Sequence, residues 1–320
     1  MKLVKKILDR FNGLQYPQEY LCFARGFFYQ PLHVYLVGSN EVIKEVTQQH
    51  LFVGYCPLVF AFSGPGCGSS IQLVFTHQLL KPNEFYSEKD ALAWLEMKQV
   101  KEQFNNESHV VYYEGTHGSH HFIPDFNQYL NKLNNKWYNK KPGNVFLHDN
   151  LYRQVQIAYA VPRNISLISI QQGEFYNLFP TDLHGQIDEN HYIISLRTGG
   201  KALEQVKKAG KLLLSQVQAE AYQMVYNLGK NHMQEPKPKE NFPFSSLLSQ
   251  NLLWPLPQHA ISYRELVLLE GFEQGIHTIL LFRIGFSHPG ANEKNSLAHI
   301  HNSYASWRYK NGLAGNFLLR

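Results

Sequence analysis

Three linked segments carry most of the information in this 320-residue chain. They read Ile165-Ser166-Leu167-Ile168-Ser169-Ile170, then Gly173-Glu174-Phe175-Tyr176-Asn177-Leu178-Phe179-Pro180-Thr181-Asp182-Leu183-His184-Gly185, then Tyr192-Ile193-Ile194-Ser195-Leu196-Arg197-Thr198-Gly199-Gly200-Lys201-Ala202-Leu203-Glu204. The first is a strand by its β-branched content. The third is a strand that runs into a basic, Gly-containing turn. A short helix over 201–209 opens there and stops at Gly210, the usual place for a terminating glycine. Arg197, Thr198, the amides of Gly199 and Gly200, and Lys201 therefore gather hydrogen-bond donors and positive charge at a helix start, where an anion is favoured.

Strands are expected on either side of this core, at 157–162, 191–197 and 211–216, with a helix at 219–228. Two long strands, 261–272 and 276–286, turn through Glu273-Gln274-Gly275 as a hairpin, followed by an aromatic stretch from Leu297 to Arg308. In the first half the pattern predicts a helix over 2–11 and strands at 20–29 and 32–38. It also predicts a helix over 40–48, strands at 51–62 and 70–77, a helix from Ser87 to about Phe104, a strand at 108–113 and a helix over 124–138. Asn139-Lys140-Lys141-Pro142-Gly143-Asn144 is the best linker. It divides the chain into an α+β domain of unassigned type and role at 1–141 and a second domain at 142–320. No repeat of 20–50 residues is visible.

The ordered series of Asn177 with Pro180-Thr181-Asp182, the turn Arg197-Thr198-Gly199-Gly200-Lys201, the hairpin Gly275-Ile276-His277-Thr278 and the stretch with His299, Tyr304 and Trp307 resembles the flavin reductase-like family. The resemblance covers about residues 150–320. It implies an FMN-binding split β-barrel, antiparallel, in the second half. It implies FMN as cofactor, NAD(P)H as hydride donor and a small-molecule electron acceptor. It also implies a homodimer with the flavin at the subunit interface. Carried over residue by residue, the cofactor-binding set is Asn177, Pro180, Thr181, Asp182, Arg197, Thr198, Gly199, Gly200, Lys201 and His277, and no catalytic residue is assigned. The chain departs from the family where Gly200 and Ala202 replace hydroxyl residues around the phosphate, so restoring a hydroxyl at Ala202 is expected to tighten FMN. Asp182 also brings negative charge toward the flavin. The alternatives are a split-barrel protein that binds a ligand without catalysis, and a haem-binding relative on the same fold.

Composition narrows the rest. Hydrophobic residues are 44% and charged residues 17% of the chain, which excludes a disordered, collagenous or coiled-coil protein. A net charge of +5 with no basic run argues against nucleic-acid binding. Cys22, Cys56 and Cys67 form no CxxC pair and suit a reducing compartment. The N-terminus lacks the apolar core of a signal peptide, and the longest nearly uncharged apolar run, Leu51 to Phe62, is too short to span a bilayer. A cytoplasmic protein without membrane partners is expected. The run Ser63 to Ser70 precedes a strand and reads as a flexible hairpin loop rather than a phosphate cradle. Glu114, His117, His120 and His121 have metal-ligand types but no strong spacing, and no metal is expected.

Overall fold

The computed structural model describes residues 2–38, 41–86, 91–104, 108–138, 145, 147–290, 295–313 and 315–318. Its first half holds α1 (Lys2–Phe11), β1 (Tyr20–Ala24), β2 (His33–Gly38), β3 (Glu41–Glu45), β4 (Leu51–Tyr55), β5 (Leu58–Ser63), β6 (Ser70–Thr76), β7 (Ala93–Phe104), β8 (His109–His120) and α2 (Asp125–Tyr138). The second half begins with α3 (Leu151–Ala158), β9 (Arg163–Asn164), β10 (Ser166–Gln172), β11 (Phe175–Thr181), β12 (His184–Gln186), β13 (His191–Arg197), α4 (Lys201–Ala209) and β14 (Lys211–Val217). It continues through α5 (Tyr222–Asn227), β15 (Lys237–Pro238), β16 (Phe244–Leu248), β17 (Pro255–Pro257), β18 (Ala260–Gln274), β19 (His277–His288), β20 (Leu297–His301), α6 (Asn302–Lys310) and β21 (Phe317–Leu318).

Two large antiparallel sheets organise the chain. A seven-stranded sheet runs β3-β2-β6-β7-β8-β5-β4, and an eight-stranded sheet runs β12-β13-β19-β18-β14-β10-β11-β15. A smaller sheet, β21-β1-β20-β9, joins strands from both ends of the chain. The class is α+β with mostly antiparallel pairing. Among the described residues neither large sheet pairs its two end strands with each other.

Period-two alternation explains how the sheets meet. In β13, Tyr192, Ile194 and Leu196 point into the core of the second half, and in β19 Leu280 and Phe282 join them, together with Leu203 and Val206 of α4. The intervening residues Ile193, Ile279 and Leu281 face the other way and pack with Val53, Val59, Ala61, Val110 and Tyr112 of the first half. Phe52, Phe60, Phe62, Val111 and Tyr113 fill a core that the first half shares with Val155, Ile157 and Ala158 of α3 and with Ala298, Ile300 and Tyr304 near the C-terminus. Strands buried on both faces read as continuous apolar runs. That is the physical origin of Leu51 to Phe62 and Ile193 to Leu196.

Several expectations fail, for identifiable reasons. Residues 41–45 form a strand rather than a helix, with Val42 buried between the exposed Glu41 and Ile43. Ala93–Phe104 is a strand of 12 residues, although Leu, Glu, Met, Lys and Gln favour helices. Its buried Ala93, Leu95 and Met97 alternate with more exposed residues, so tertiary burial overrides propensity. The cap signal Ser87 to Asp90 lies outside the described residues, as does the linker 139–144. The run 51–62 is two strands turning at Cys56-Pro57. Residues 151–158 are helical where a strand over 157–162 is expected, and β1 ends at Ala24. Among the described residues no helix is long and apolar enough to cross a membrane.

Candidate functional site

The residues that come together lie at the ends of β13 and β19. Arg197 and His277 are direct register partners, so their side chains share a face. Alternation places that face on the side of Ile193 and Ile279, the side that meets the first half. The next residues are linked too: Thr198 Oγ1 lies 2.9 Å from Thr278 Oγ1, and the Thr198 amide donates to the Ile276 carbonyl at 2.9 Å. Gly199 follows with φ +75°, a left-handed conformation that costs a side chain energy. Gly200 is the N-cap of α4 and offers that helix no side-chain cap. Its own amide donates to the Arg197 carbonyl at 3.0 Å and the Leu203 amide to the Gly200 carbonyl at 3.1 Å, so the amides that face outward at this helix start are at most those of Lys201 and Ala202.

His277 is 3% exposed, and neither ring nitrogen has a hydrogen-bond partner among the described residues. Burial, helped by the Arg197 charge and opposed by Asp182, lowers its pKa to about 4, so the ring is neutral at pH 7. The Tyr55 ring, delivered by the end of β4, packs edge-on against it with centroids 4.6 Å apart. Burial raises the Tyr55 pKa, while Arg197 pulls it down and Asp182 adds to the rise. The β4–β5 turn closes on the β18–β19 turn, with the Ile276 amide donating to the Cys56 carbonyl at 3.0 Å.

Asp182 completes the cluster. The Tyr159 hydroxyl donates to its Oδ2 at 2.5 Å, and His299 Nε2 lies 2.9 Å from the same oxygen. Burial pushes this carboxyl up, but His299 and the Tyr159 hydroxyl outweigh burial, and its pKa ends below the ordinary value. The Tyr20 ring packs edge-on against Tyr159 with centroids 5.0 Å apart and tilted against His299 at 5.5 Å. Beside Asp182 a cleft of about 370 Å³ opens between the halves, lined by Arg25, Gln48, Arg163, His184 and Arg264 among others. Three arginines make it cationic.

Other members of the sequence-derived set stand apart. Asn177 is buried, and its amide donates to Gln205 Oε1 at 2.7 Å and to the Asn231 carbonyl at 3.1 Å, with its own Oδ1 accepting from the Leu178 amide. It fastens α4 and the 229–233 turn to β11. Pro180 and Thr181 pair with Leu167 and Ser166 in the β10–β11 ladder and lead the chain to Asp182. Lys201 pairs with Glu235.

Ala202 corrects an expectation. It is 3% exposed and packs in the second-half core beside Leu203 and Val206. A hydroxyl there cannot reach an anion at the turn. Ala202→Thr is expected to destabilise the fold by about 1–3 kcal/mol through overpacking and an unpaired hydroxyl, leaving ligand affinity unchanged. Thermal melts beside a ligand titration check both halves of this expectation, and tighter binding would reverse the correction.

The Gly-rich run is a loop as expected, but it is no hairpin. It joins β5 to β6, which pair with β8 and with β2 and β7. Tyr113 pins it, its hydroxyl accepting from the Cys67 amide and donating to the Gly68 carbonyl, both at 3.0 Å. The histidine cluster is dispersed along β8: Gln274 donates to Glu114 at 2.6 Å, His117 packs on Trp94, and His120 is buried against Gln156. No group of three or more His, Cys, Asp or Glu among the described residues is arranged to hold a metal. Sequence reasoning missed Tyr20, Tyr55 and Tyr159, since isolated tyrosines on β1, at the end of β4 and just after α3 carry no spacing signal.

No family model matches the chain, and no curated protein matches it. Solved structures of flavin reductases and FMN-binding proteins align with about half of it. An FMN-binding protein from Thermus thermophilus is 19% identical, covering 40% of this chain and 72% of that one at a TM-score of 0.36. A Streptomyces globisporus NADH:FAD oxidoreductase is 11% identical, with coverages of 51% and 96% and a TM-score of 0.42. The styrene monooxygenase flavin reductase from Pseudomonas putida is 15% identical, with coverages of 46% and 92% and a TM-score of 0.38.

Proposed function

We propose that the second half of the chain is a split-barrel unit that binds FMN and acts as a flavin reductase-like oxidoreductase, taking hydride from a nicotinamide and passing electrons to a small-molecule acceptor. One observation carries the reading. Arg197 and His277 sit side by side, immediately before an uncapped helix start, on the face where the two halves meet.

The residues present suit an FMN phosphate and ring. The positive-φ Gly199 bends the chain sharply into the start of α4, where the helix N-terminus favours an anion, while the Gly200 amide is held by the Arg197 carbonyl at 3.0 Å, the oxygen a Cβ at Gly200 would also meet at 3.0 Å. Arg197 and Lys201 add charge on either side of the turn. Lys201 is shared with the exposed Glu235, so an arriving phosphate competes with that carboxylate. His277, neutral and buried, can donate from one ring nitrogen and accept at the other, which suits the mixed donor and acceptor edge of a flavin ring. Tyr55 and the Cys56-Pro57 turn shield that position from water.

When bound, the flavin supplies the hydride chemistry, and the protein contributes binding, orientation and electrostatics. Asp182, held ionised by His299 and Tyr159, disfavours negative charge building up beside it. Its hydrogen bonds fix it in place, so the site keeps this polarity without reorganising.

The test is an equilibrium titration of FMN and of riboflavin, which lacks the phosphate. Replacing Arg197→Ala and Lys201→Ala together is expected to weaken FMN at least about tenfold, equivalent to ~1.4 kcal/mol. Riboflavin affinity should stay where it was. Equal shifts for both ligands, or none, place the phosphate elsewhere.

A further inference from the structure

We propose that β2–β8 form a second copy of the unit built by β10–β14, β18 and β19, and that this copy serves as a built-in partner subunit completing the site at Arg197 and His277. The clause about the site rests on the flavin reading above, whereas the pairing of the two copies does not.

The strand order makes the case. Taken in sequence, β2, β3, β4, β5, β6, β7 and β8 correspond to β10, β11, β12, β13, β14, β18 and β19. The first sheet runs β3-β2-β6-β7-β8-β5-β4 and the second, read from its other end, runs β11-β10-β14-β18-β19-β13-β12 after the short additional edge strand β15. Every neighbour pair recurs, and every pair is antiparallel in both halves. Two hairpins come first, then a strand that returns beside the first of the four, then a long hairpin that bridges to the second pair. Chain-connection rules permit several orders for seven strands, so repetition of this one is informative.

The faces correspond as well. Val53 of β4, Val59 and Ala61 of β5, and Val110 and Tyr112 of β8 meet Ile187 beyond β12, Ile193 of β13, and Ile279 and Leu281 of β19. Equivalent strands of the two copies thus present equivalent faces to each other, the signature of a two-fold, self-complementary interface. The β4–β5 turn rests on the β18–β19 turn through Cys56 and Ile276, and Ile187, in the β12–β13 connection, belongs to the same buried cluster as Val110 near the start of β8.

The copies differ between β14 and β18, where the second carries α5, β15, β16 and β17, and at one connection beside the site. Between β13 and β14 the chain carries Arg197, Lys201 and the helix α4. The equivalent connection between β5 and β6, residues 64–69, contains no basic residue and no helix. The first copy has no anion cradle of this kind and contributes Tyr55 and the Cys56-Pro57 turn to the one that remains. The second subunit implied by the family resemblance is then supplied from within the chain.

The experiment is light scattering at micromolar concentration together with FMN titration of wild type, Tyr55→Ala and Tyr55→Phe. The expected particle is 37.1 kDa with one FMN per chain. Tyr55→Ala should weaken FMN at least fivefold and Tyr55→Phe, which keeps the ring on His277, less than twofold. A particle of twice that mass overturns the built-in partner, and two FMN per chain overturns the division of labour. Equal affinity in all three proteins removes Tyr55 from the site. If wild type is a monomer that takes no FMN, the flavin reading falls while the internal pairing stands on the mass alone.

Discussion

Between pH 7 and pH 5 the protein is expected to lose about 4 kcal/mol of folding stability. Four histidines are buried with pKa values well below the ordinary 6.5: His50 and His120 at about 3, His184 and His277 at about 4. Burial is the leading cause in each. The sign follows from linkage. The folded state holds these rings neutral, while the unfolded chain takes up protons below about 6.5. Their stability is fully present above that pH and is lost as pH falls toward 4. An ideal buried histidine would lose roughly 2 kcal/mol by pH 5, and halving that for relaxation and water entry leaves about 1 kcal/mol each. Asp182 works in a lower window. Its depressed pKa gives stability that is present above about 4 and lost only as pH falls through the folded value, so it does not mask the histidine slope. Urea unfolding at pH 7, 6 and 5 measures the loss. A flat profile would mean that these imidazoles are not buried neutral.

Gly275→Ala is expected to cost about 3–4 kcal/mol, lowering the melting temperature by at least roughly 6 °C. Gly275 has φ +61°, and a Cβ there would run into the Cys56 carbonyl oxygen and the Pro57 ring. Backbone on both sides prevents an easy adjustment. Gly173→Ala is the matched control. It has the same φ of +61° but nothing within reach of a new Cβ, so it reports the left-handed penalty alone, about 1 kcal/mol. The difference between the two measures how tightly the halves are held at the site. Equal losses would show that the two turns are not in firm contact.

Much of the second half was legible because its signals are local. The run Ile165 to Ile170, the stop at Gly210 and the turn at Gly275 each mark an element by short-range rules, and the structure keeps all three. The first half resisted because its signals conflict. Ala93 to Phe104 carries helix-forming residues on a strand, since neighbours on both sides dictate the period. Leu51 to Phe62 hid a turn inside a continuous apolar run, because strands buried on both faces lose the polar alternation that marks boundaries. At the site, the basic turn could be read from Arg197 to Lys201, while the partners of the Asn177 amide, Gln205 of α4 and the 229–233 turn, lie too far along the chain to be read. Tyr55 was invisible, being supplied by a distant segment across the interface. The duplication was hidden for the same reason. Two copies that share strand order without shared spacing or residues leave no period in the sequence.

The central claim is tested most directly by anaerobic mixing of the protein with FMN and a reduced nicotinamide, following the visible absorption band of the flavin. The proposed function predicts loss of the band much faster than in protein-free solution, with the rate sharply reduced by Arg197→Ala with Lys201→Ala. Bleaching no faster than in protein-free solution, with NADH and NADPH alike, would contradict it.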